Sequence, residues 1–231
     1  MITVASYNIR KAIGADRRRR PDRILDVLLE MNADIVALQE IDRRFGARLA
    51  ALPPAMIAER THYVPVPFDM RPGSLGWHGN GILVRRGIEV TAMRALTLPM
   101  LEPRGAVMAE LEVEGRPLRV IGMHLDLSGL FRRRQARAIM EILTGCKVMP
   151  TVMMGDLNEW RADRGCLADF GGGYDFAATG QSFPARRPLA RLDRIIVSRD
   201  LGVEAAGSHH SALARIASDH LPVWARMSFR A

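Results

Sequence analysis

The sequence predicts an α/β protein of the α+β type, in which two packed mixed sheets are flanked by helices. Three observations lead there. Apolar, strand-like runs fall into two groups along the 231 residues, with few crossover helices between them, which favours mixed and antiparallel pairing over a purely parallel sheet. Two segments each carry one apolar helical stripe, and two helices with two strand groups fit two packed sheets covered by helices. The polar residues Asn8, Glu40, His124, Asp156 and Asp193 each stand at or just beyond the end of an apolar strand. Strand ends of packed sheets meet at a rim, where residues distant in sequence surround one cavity.

In chain order, residues 2–9 alternate towards Tyr7-Asn8-Ile9 and predict a strand. Lys11 to Arg20 is polar, basic and glycine-containing, a loop. Pro21 suits the first position of a helix, and Ile24, Val27, Leu28 and Met31 recur at helical spacing behind it, with Asn32 as C-terminal cap. Ile35-Val36-Ala37-Leu38 is a short buried strand ending at Gln39-Glu40. Strands follow near 62–67, 79–85, 88–95, 105–113 and 117–125, with turn signals at Pro72-Gly73, Arg86-Gly87 and Glu114-Gly115. A helix is expected from Leu130 to Leu143, with Phe131, Gln135, Ala138 and Ile142 on one face and Ile139 and Leu143 beside them. Pro150 to Met154 is another buried strand, delivering Gly155-Asp156. Phe170 to Pro188 is rich in glycine and proline and predicts a long loop; strands return near 192–198, 202–207 and 222–229. No repeat, low-complexity tract or linker divides the chain, so one domain over residues 1–231 is expected.

Hydrophobic residues at 48% and charged residues at 25% are those of an ordinary soluble protein. No apolar run approaches the roughly 20 residues of a membrane helix, and no basic leader with an apolar stretch opens the chain. Cys146 and Cys166 are too few for a disulfide framework; reduced thiols in a cytoplasmic protein are the expectation. The net charge is +8, and Lys11 and Lys147 are the only lysines. Arginine forks pair with phosphate oxygens, which admits a polyanionic substrate or an acidic membrane surface as partner; a solvated surface accounts for the bulk of them equally well.

The strand-end residues can perform phosphoryl chemistry. Glu40 is either turned to solvent or held near a cation, since a desolvated carboxylate needs a cation or a donor, and magnesium asks for only a few carboxylate oxygens. Asp156 and Asn158 lie two positions apart after an apolar strand. They either close an Asx-type turn or point the same way, the aspartate towards a water and the asparagine towards a developing oxyanion. Ser218-Asp219-His220 sets an acid beside an imidazole, Asp193 can supply that imidazole with a carboxylate partner, and His124 is a second imidazole.

Taken in order, Asn8, Gln39-Glu40, Asn80, Arg104, His124, Gly155-Asp156-Leu157-Asn158, Asp193 and Ser218-Asp219-His220 resemble the endonuclease/exonuclease/phosphatase superfamily, which includes deoxyribonucleases, apurinic endonucleases, inositol polyphosphate 5-phosphatases and neutral sphingomyelinases. The resemblance runs from residue 3 to residue 229 and implies a four-layer αββα sandwich with its active site at the top of the two sheets. It implies Glu40 as principal ligand of Mg²⁺ or Mn²⁺, with Asn8 and Asp219 close to the metal. Asp156 would orient or activate the attacking water and Asn158 steady the phosphoryl oxygens. His220, paired with Asp193, would bond the scissile phosphate, and His124 matches the second histidine of the deoxyribonuclease and sphingomyelinase branches. Arg104 and Asn80 fall on the substrate side. Arg10 stands where apurinic endonucleases carry a further acidic residue, which argues against that branch, and no acidic partner for His124 is found near Asn80.

The expected activity is therefore metal-dependent hydrolysis of a phosphodiester, with a phospholipid headgroup or small molecule as substrate. A nuclease is the alternative that the positive charge favours, although aromatic residues are only 6%. Trp77, in the loop Phe68 to His78, suits a base or a lipid chain equally. Arg132, Arg133, Arg134 and Arg137 lie early in a helix, where cations oppose the macrodipole, so they face either an anion or solvent. A binding module without catalysis would have lost Glu40, Asp156 or His220, and all are present.

Overall fold

The structure, a computed structural model, describes residues 1–42, 49–68 and 73–230. Strand β1 (Ile2–Asn8) leads through helix α1 (Pro21–Met31) to β2 (Ile35–Gln39). Helix α2 (Pro54–Arg60) precedes β3 (Tyr63–Pro65) and β4 (Gly81–Arg85), and β5 (Glu89–Leu96), β6 (Gly105–Val113) and β7 (Arg116–His124) form a meander. Helix α3 (Gly129–Thr144) crosses to β8 (Thr151–Asp156). Then come β9 (Tyr174–Phe176), β10 (Asp193–Ser198), β11 (Leu201–Ser208), the short α4 (Ala214–Ala217) and β12 (Val223–Phe229).

These strands make two six-stranded sheets, ordered β11-β12-β1-β2-β4-β3 and β5-β6-β7-β8-β10-β9. Each sheet has one parallel pair at its centre, β1 with β2 and β7 with β8, and is otherwise antiparallel. The sheets are mixed, as expected, and they pack face to face. Val4, Ile35 and Ile82 of the first share one buried cluster with Val107, Val120, Val152 and Ile195 of the second. The outer face of the first sheet is closed by Ile24, Leu25, Val27 and Leu28 of α1 and Ile57 of α2. That of the second is closed by Ala136, Ile139 and Leu143 of α3. The result is the αββα layering. Cys146 and Cys166 are both free, and among the described residues no helix is long and apolar enough to cross a membrane.

Local signals explain most of the elements. Pro21 opens α1, and Asn32 closes it in the left-handed conformation with its N–H on the Leu28 carbonyl at 3.1 Å. Four points differ from the sequence reading. Helices α2 and α4 were not expected; seven and four residues are too short to show a periodic stripe. Strand β9 lies inside the stretch expected to be a loop, because pairing with β10 satisfies its backbone. The buried face of α3 is rotated onto Arg132, Gln135, Ala136, Ile139 and Leu143. Arg132 and Gln135 are drawn in by polar partners, Glu159 and the Asp126 N–H, which apolar periodicity does not register. The expected turn residue Pro72 lies outside the described residues.

Gly155 shows how tightly the parallel centre is built. It pairs with Met123 across β7 and β8, and a Cβ there would stand 1.8 Å from the Met123 carbonyl oxygen. Gly155→Ala should therefore destabilise the protein by about 1–3 kcal/mol, read as a lower urea midpoint. An unchanged midpoint would show that the strands do not need this close approach.

Candidate active site

The register of the two parallel pairs gathers the polar residues at one edge. Asn8 pairs with Gln39 at the ends of β1 and β2, so Glu40 leaves its strand beside Asn8. In the facing sheet His124 pairs with Asp156 at the ends of β7 and β8, and Asp193, starting antiparallel β10, pairs with Asp156 from the other side. Gly105 opposes His124, which brings Arg104 to the same edge. Antiparallel β12 begins there too, and the Ser218 hydroxyl donates to the Asn8 carbonyl at 2.7 Å, fixing Asp219 and His220 against β1.

Asp156 is the node, and it is only 2% exposed. Its Oδ2 accepts from Asn8 Nδ2 at 3.0 Å and lies 3.4 Å from His124 Nε2 and 3.7 Å from His220 Nε2. Its Oδ1 accepts from the Asn158 N–H at 2.9 Å. Burial pushes this carboxyl up, but His220, His124 and the Asn158 N–H outweigh it and hold its pKa well below the ordinary carboxylate range. Asp156 closes an Asx turn by accepting the Asn158 N–H on Oδ1, and Asn158 Nδ2 donates to the Leu125 carbonyl at 2.9 Å. The local turn and the site role are thus compatible.

His220 Nδ1 bonds Asp193 Oδ2 at 2.8 Å, and Ser182 Oγ donates to the same oxygen at 2.5 Å. Burial pushes the imidazole down, but Asp193 and Asp156 overcome it and raise its pKa to about 10. The ring therefore enters neutral pH as an imidazolium with Nε2 facing Asp156. Phe183 lies against it, ring centroids 4.9 Å apart, and Trp160 meets Phe183 edge-on at 6.0 Å.

Glu40 faces the same space from the first sheet. Burial raises its pKa, but His124, Lys11 and Arg104 together leave it lowered, so these three cations or imidazoles lie within its electrostatic reach. The Lys11 ammonium pairs with Glu40, Arg10 Nε stands 3.2 Å from Asp219 Oδ2, and the Arg104 guanidinium contacts His124 Nε2. Arg104 is steadied by Glu102 at 3.2 Å and the Leu125 carbonyl at 3.2 Å. The acidic partner of His124, not found near Asn80 in the sequence, is Asp156. Asn80 is buried, and its Nδ2 donates to the Gly105 carbonyl at 3.1 Å, bracing one sheet against the other.

Two donor sets could hold a metal. Asp156, Asp193 and His220 lie within 4.8 Å of one another, but an imidazolium already bonded to Asp193 offers a cation no lone pair. Glu40, Asp219 and Asn8 supply only hard oxygens, as magnesium or manganese requires. Glu40 is a partly buried carboxylate that needs a cation beside it, a place the Lys11 ammonium takes here, and the all-oxygen donors make this set the better fit for a divalent ion.

Sequence reasoning did not single out Lys11, Ser182 or Phe183 as parts of the site, and it read Arg10 only as a departure from one branch. Arg10, Lys11 and Ala12 have φ of 47°, 56° and 59°, a run of left-handed backbone with no glycine to announce it. Glu40 and Asn158 are left-handed as well, at 54° and 51°. Strained backbone collects at functional sites because the surrounding structure must hold it; here the Lys11 N–H bonds the Glu40 carbonyl at 3.0 Å and the Arg10 N–H bonds Asn8 Oδ1 at 3.1 Å.

The family model described as the Endonuclease/Exonuclease/phosphatase family matches residues 5–220. No curated protein matches the sequence. Among solved structures, the mannosyl-6-phosphatase of Bacteroides thetaiotaomicron superposes with a TM-score of 0.77 at 20% identity, over 99% of this chain and 100% of that one. An endonuclease/exonuclease/phosphatase from Bacteroides vulgatus gives 0.78 at 19% identity, over 99% of each chain. D. rerio TDP2 complexed with single-strand DNA product gives 0.75 at 16%, over 98% of each. At these identities the structural likeness concerns the fold.

The His220–Asp193 pair makes a pH prediction. Because the folded imidazole holds its proton more tightly than the unfolded one, the pair stabilises the fold fully below pH 6.5 and loses that contribution as pH rises through about 10. Asp193→Asn should move the His220 ring titration, followed by NMR, from about 10 back towards 6.5. It should also flatten the fall in unfolding free energy over that window. A ring that titrates unchanged in the variant would mean that Asp193 does not set its proton affinity.

Proposed function

The chain belongs to the endonuclease/exonuclease/phosphatase family, and on that premise we propose that it is a divalent-metal-dependent phosphoesterase that hydrolyses a phosphodiester by in-line attack of water. The observation that carries the reading is the buried Asp156 carboxylate, held ionised between Asn8, Asn158 and two imidazoles. Nothing in a purely structural role requires a charge to be stripped of water at that point.

Each side chain then has a task. Asp156, too weak a base at neutral pH to take a proton early, orients the nucleophilic water and accepts its proton as the new P–O bond forms. The ester P–O bond opposite it breaks, and the departing alkoxide takes its proton from solvent water. The His220 imidazolium, fixed by Asp193, turns Nε2 towards the charge that builds on the phosphoryl oxygens. Asn158 has one amide hydrogen left after serving Leu125 and directs it at a phosphoryl oxygen. Arg104 and His124 flank the same group from the second sheet, and Lys11 and Arg10 from the first. Glu40, with Asp219 and Asn8, would hold Mg²⁺ or Mn²⁺. That ion would neutralise phosphate charge and position the substrate.

Hydrolysis of bis-p-nitrophenyl phosphate should require Mg²⁺ or Mn²⁺ and stop on exhaustive chelation. In the same assay Asp156→Asn should lower turnover by roughly 100-fold or more while the thermal midpoint moves by only a few degrees. Full activity after chelation removes the metal from the mechanism, and loss of folding in the variant returns Asp156 to a structural role.

A nuclease is the second reading, supported by the net charge of +8 and by the fold shared with a TDP2 solved with single-strand DNA product. Fluorescent single-stranded DNA should then bind at low salt and be released steeply as salt rises. Binding no tighter than that of an unrelated protein of similar charge sinks this reading.

A further inference from the structure

The rim of the cleft carries a feature that the chemistry inside it does not require. Leu101, Leu127, Leu130, Trp160 and Leu189 are 57% to 69% exposed, on segments that also carry the site: Leu101 shortly precedes Arg104, Leu127 follows His124, Trp160 follows Asn158 and Leu189 precedes Asp193. Hydrogen bonds and one ring contact tie these segments to one another. The Leu101 N–H donates to Asp126 Oδ2 at 3.1 Å, next to Leu127. The Leu127 carbonyl accepts from Arg132 Nη1 at 2.6 Å, in the first turn of α3 that also presents Leu130. Arg132 Nη2 reaches Glu159 Oε2 at 3.3 Å, the neighbour of Trp160. Trp160 meets Phe183, and the Leu189 N–H donates to the Phe183 carbonyl at 2.8 Å.

An exposed apolar patch with a polar border marks an interaction surface. On the side of Trp160 and Leu189 its border is mainly basic. Arg161, Arg186, Arg187 and Arg191 adjoin them in sequence, are exposed and have no ion pair among the described residues, whereas the neighbouring Arg164 faces Asp163 at 3.8 Å. Nucleic acid asks for aromatic stacking faces, whereas this set is mostly leucine. A second copy seated on it would close the mouth of the cleft to substrate. Apolar tips flanked on one side by arginines without a carboxylate partner match a surface that settles among the headgroups of an anionic bilayer. We infer that Leu101, Leu127, Leu130, Trp160 and Leu189 dock the cleft onto an anionic lipid surface, so that the phosphoester hydrolysed is one carried by a lipid headgroup. The substrate half of this inference rests on the phosphoesterase reading; the docking half does not.

The full chain, loaded with Mn²⁺, is mixed with vesicles of phosphatidylcholine alone or with phosphatidylglycerol, and bound protein is read by sedimentation and by tryptophan emission. Binding is expected to the anionic vesicles, with emission shifted to shorter wavelength. Trp160→Phe should lose the shift and keep most of the binding. The triple variant Leu101→Ser, Leu127→Ser, Leu130→Ser should bind about tenfold more weakly or worse, while its circular dichroism and its hydrolysis of soluble bis-p-nitrophenyl phosphate stay as in the wild type. Absence of vesicle binding, or binding that the serines leave intact, overturns the docking. So does a stable dimer in ultracentrifugation that the serines dissociate. If vesicles are bound but no ester is cleaved, the docking stands and the catalytic reading falls; cleavage without vesicle binding does the reverse.

Discussion

Asp156 keeps a negative charge while almost excluded from water, and a buried carboxylate persists only where donors and positive charge surround it. That requirement reaches into both sheets. Asn8 comes from the first, Asn158 follows the strand that carries Asp156, and His124 and His220 arrive from opposite flanks. Asp193 and Ser182 hold His220 in turn. Remove the sheet-to-sheet packing and no local segment could keep this charge where it is.

The loops around the cleft answer the same demand with strained backbone. Arg10 and Lys11 swing their cations back onto Asp219 and Glu40 through a left-handed turn, and Glu40 is itself left-handed. Such conformations cost roughly 1–3 kcal/mol each and are offset by the hydrogen bonds that tie the turn to β2. Asp126 works similarly on the second sheet. It accepts the N–H groups of Leu101, Glu102 and Ser128, and so fixes both the approach to Arg104 and the start of α3. The apolar rim is mounted on these same anchored segments, which couples the orientation of the mouth to that of the catalytic groups.

Much of this was legible in the sequence because it is written locally. Apolar strand runs, the α1 stripe with Pro21 and Asn32 at its ends, and the polar residues at strand termini follow from periodicity and capping. Their strand-end positions set Asn8, Glu40, His124, Asp156 and Asp193 at one rim, and the Ser218-Asp219-His220 motif added His220 through its resemblance to the family. What stayed hidden was short, such as α2 and β9, or depended on a distant partner. The burial of Arg132 needs Glu159, and the use of Asn80 as a brace needs the Gly105 carbonyl.

By itself the sequence determined the layered α/β class and the chemical identity of the groups at the rim, since hydrophobic period and residue type are properties of each segment alone. Only the tertiary structure decided which groups touch: that the partner of His124 is Asp156, that Lys11 and Arg10 neutralise Glu40 and Asp219, and that the segment of Trp160 is tied to Arg132 and to Phe183. The reason is physical. Pairing across the sheets is set by strand register and by the burial of charge, and neither quantity exists until the two sheets have closed on each other.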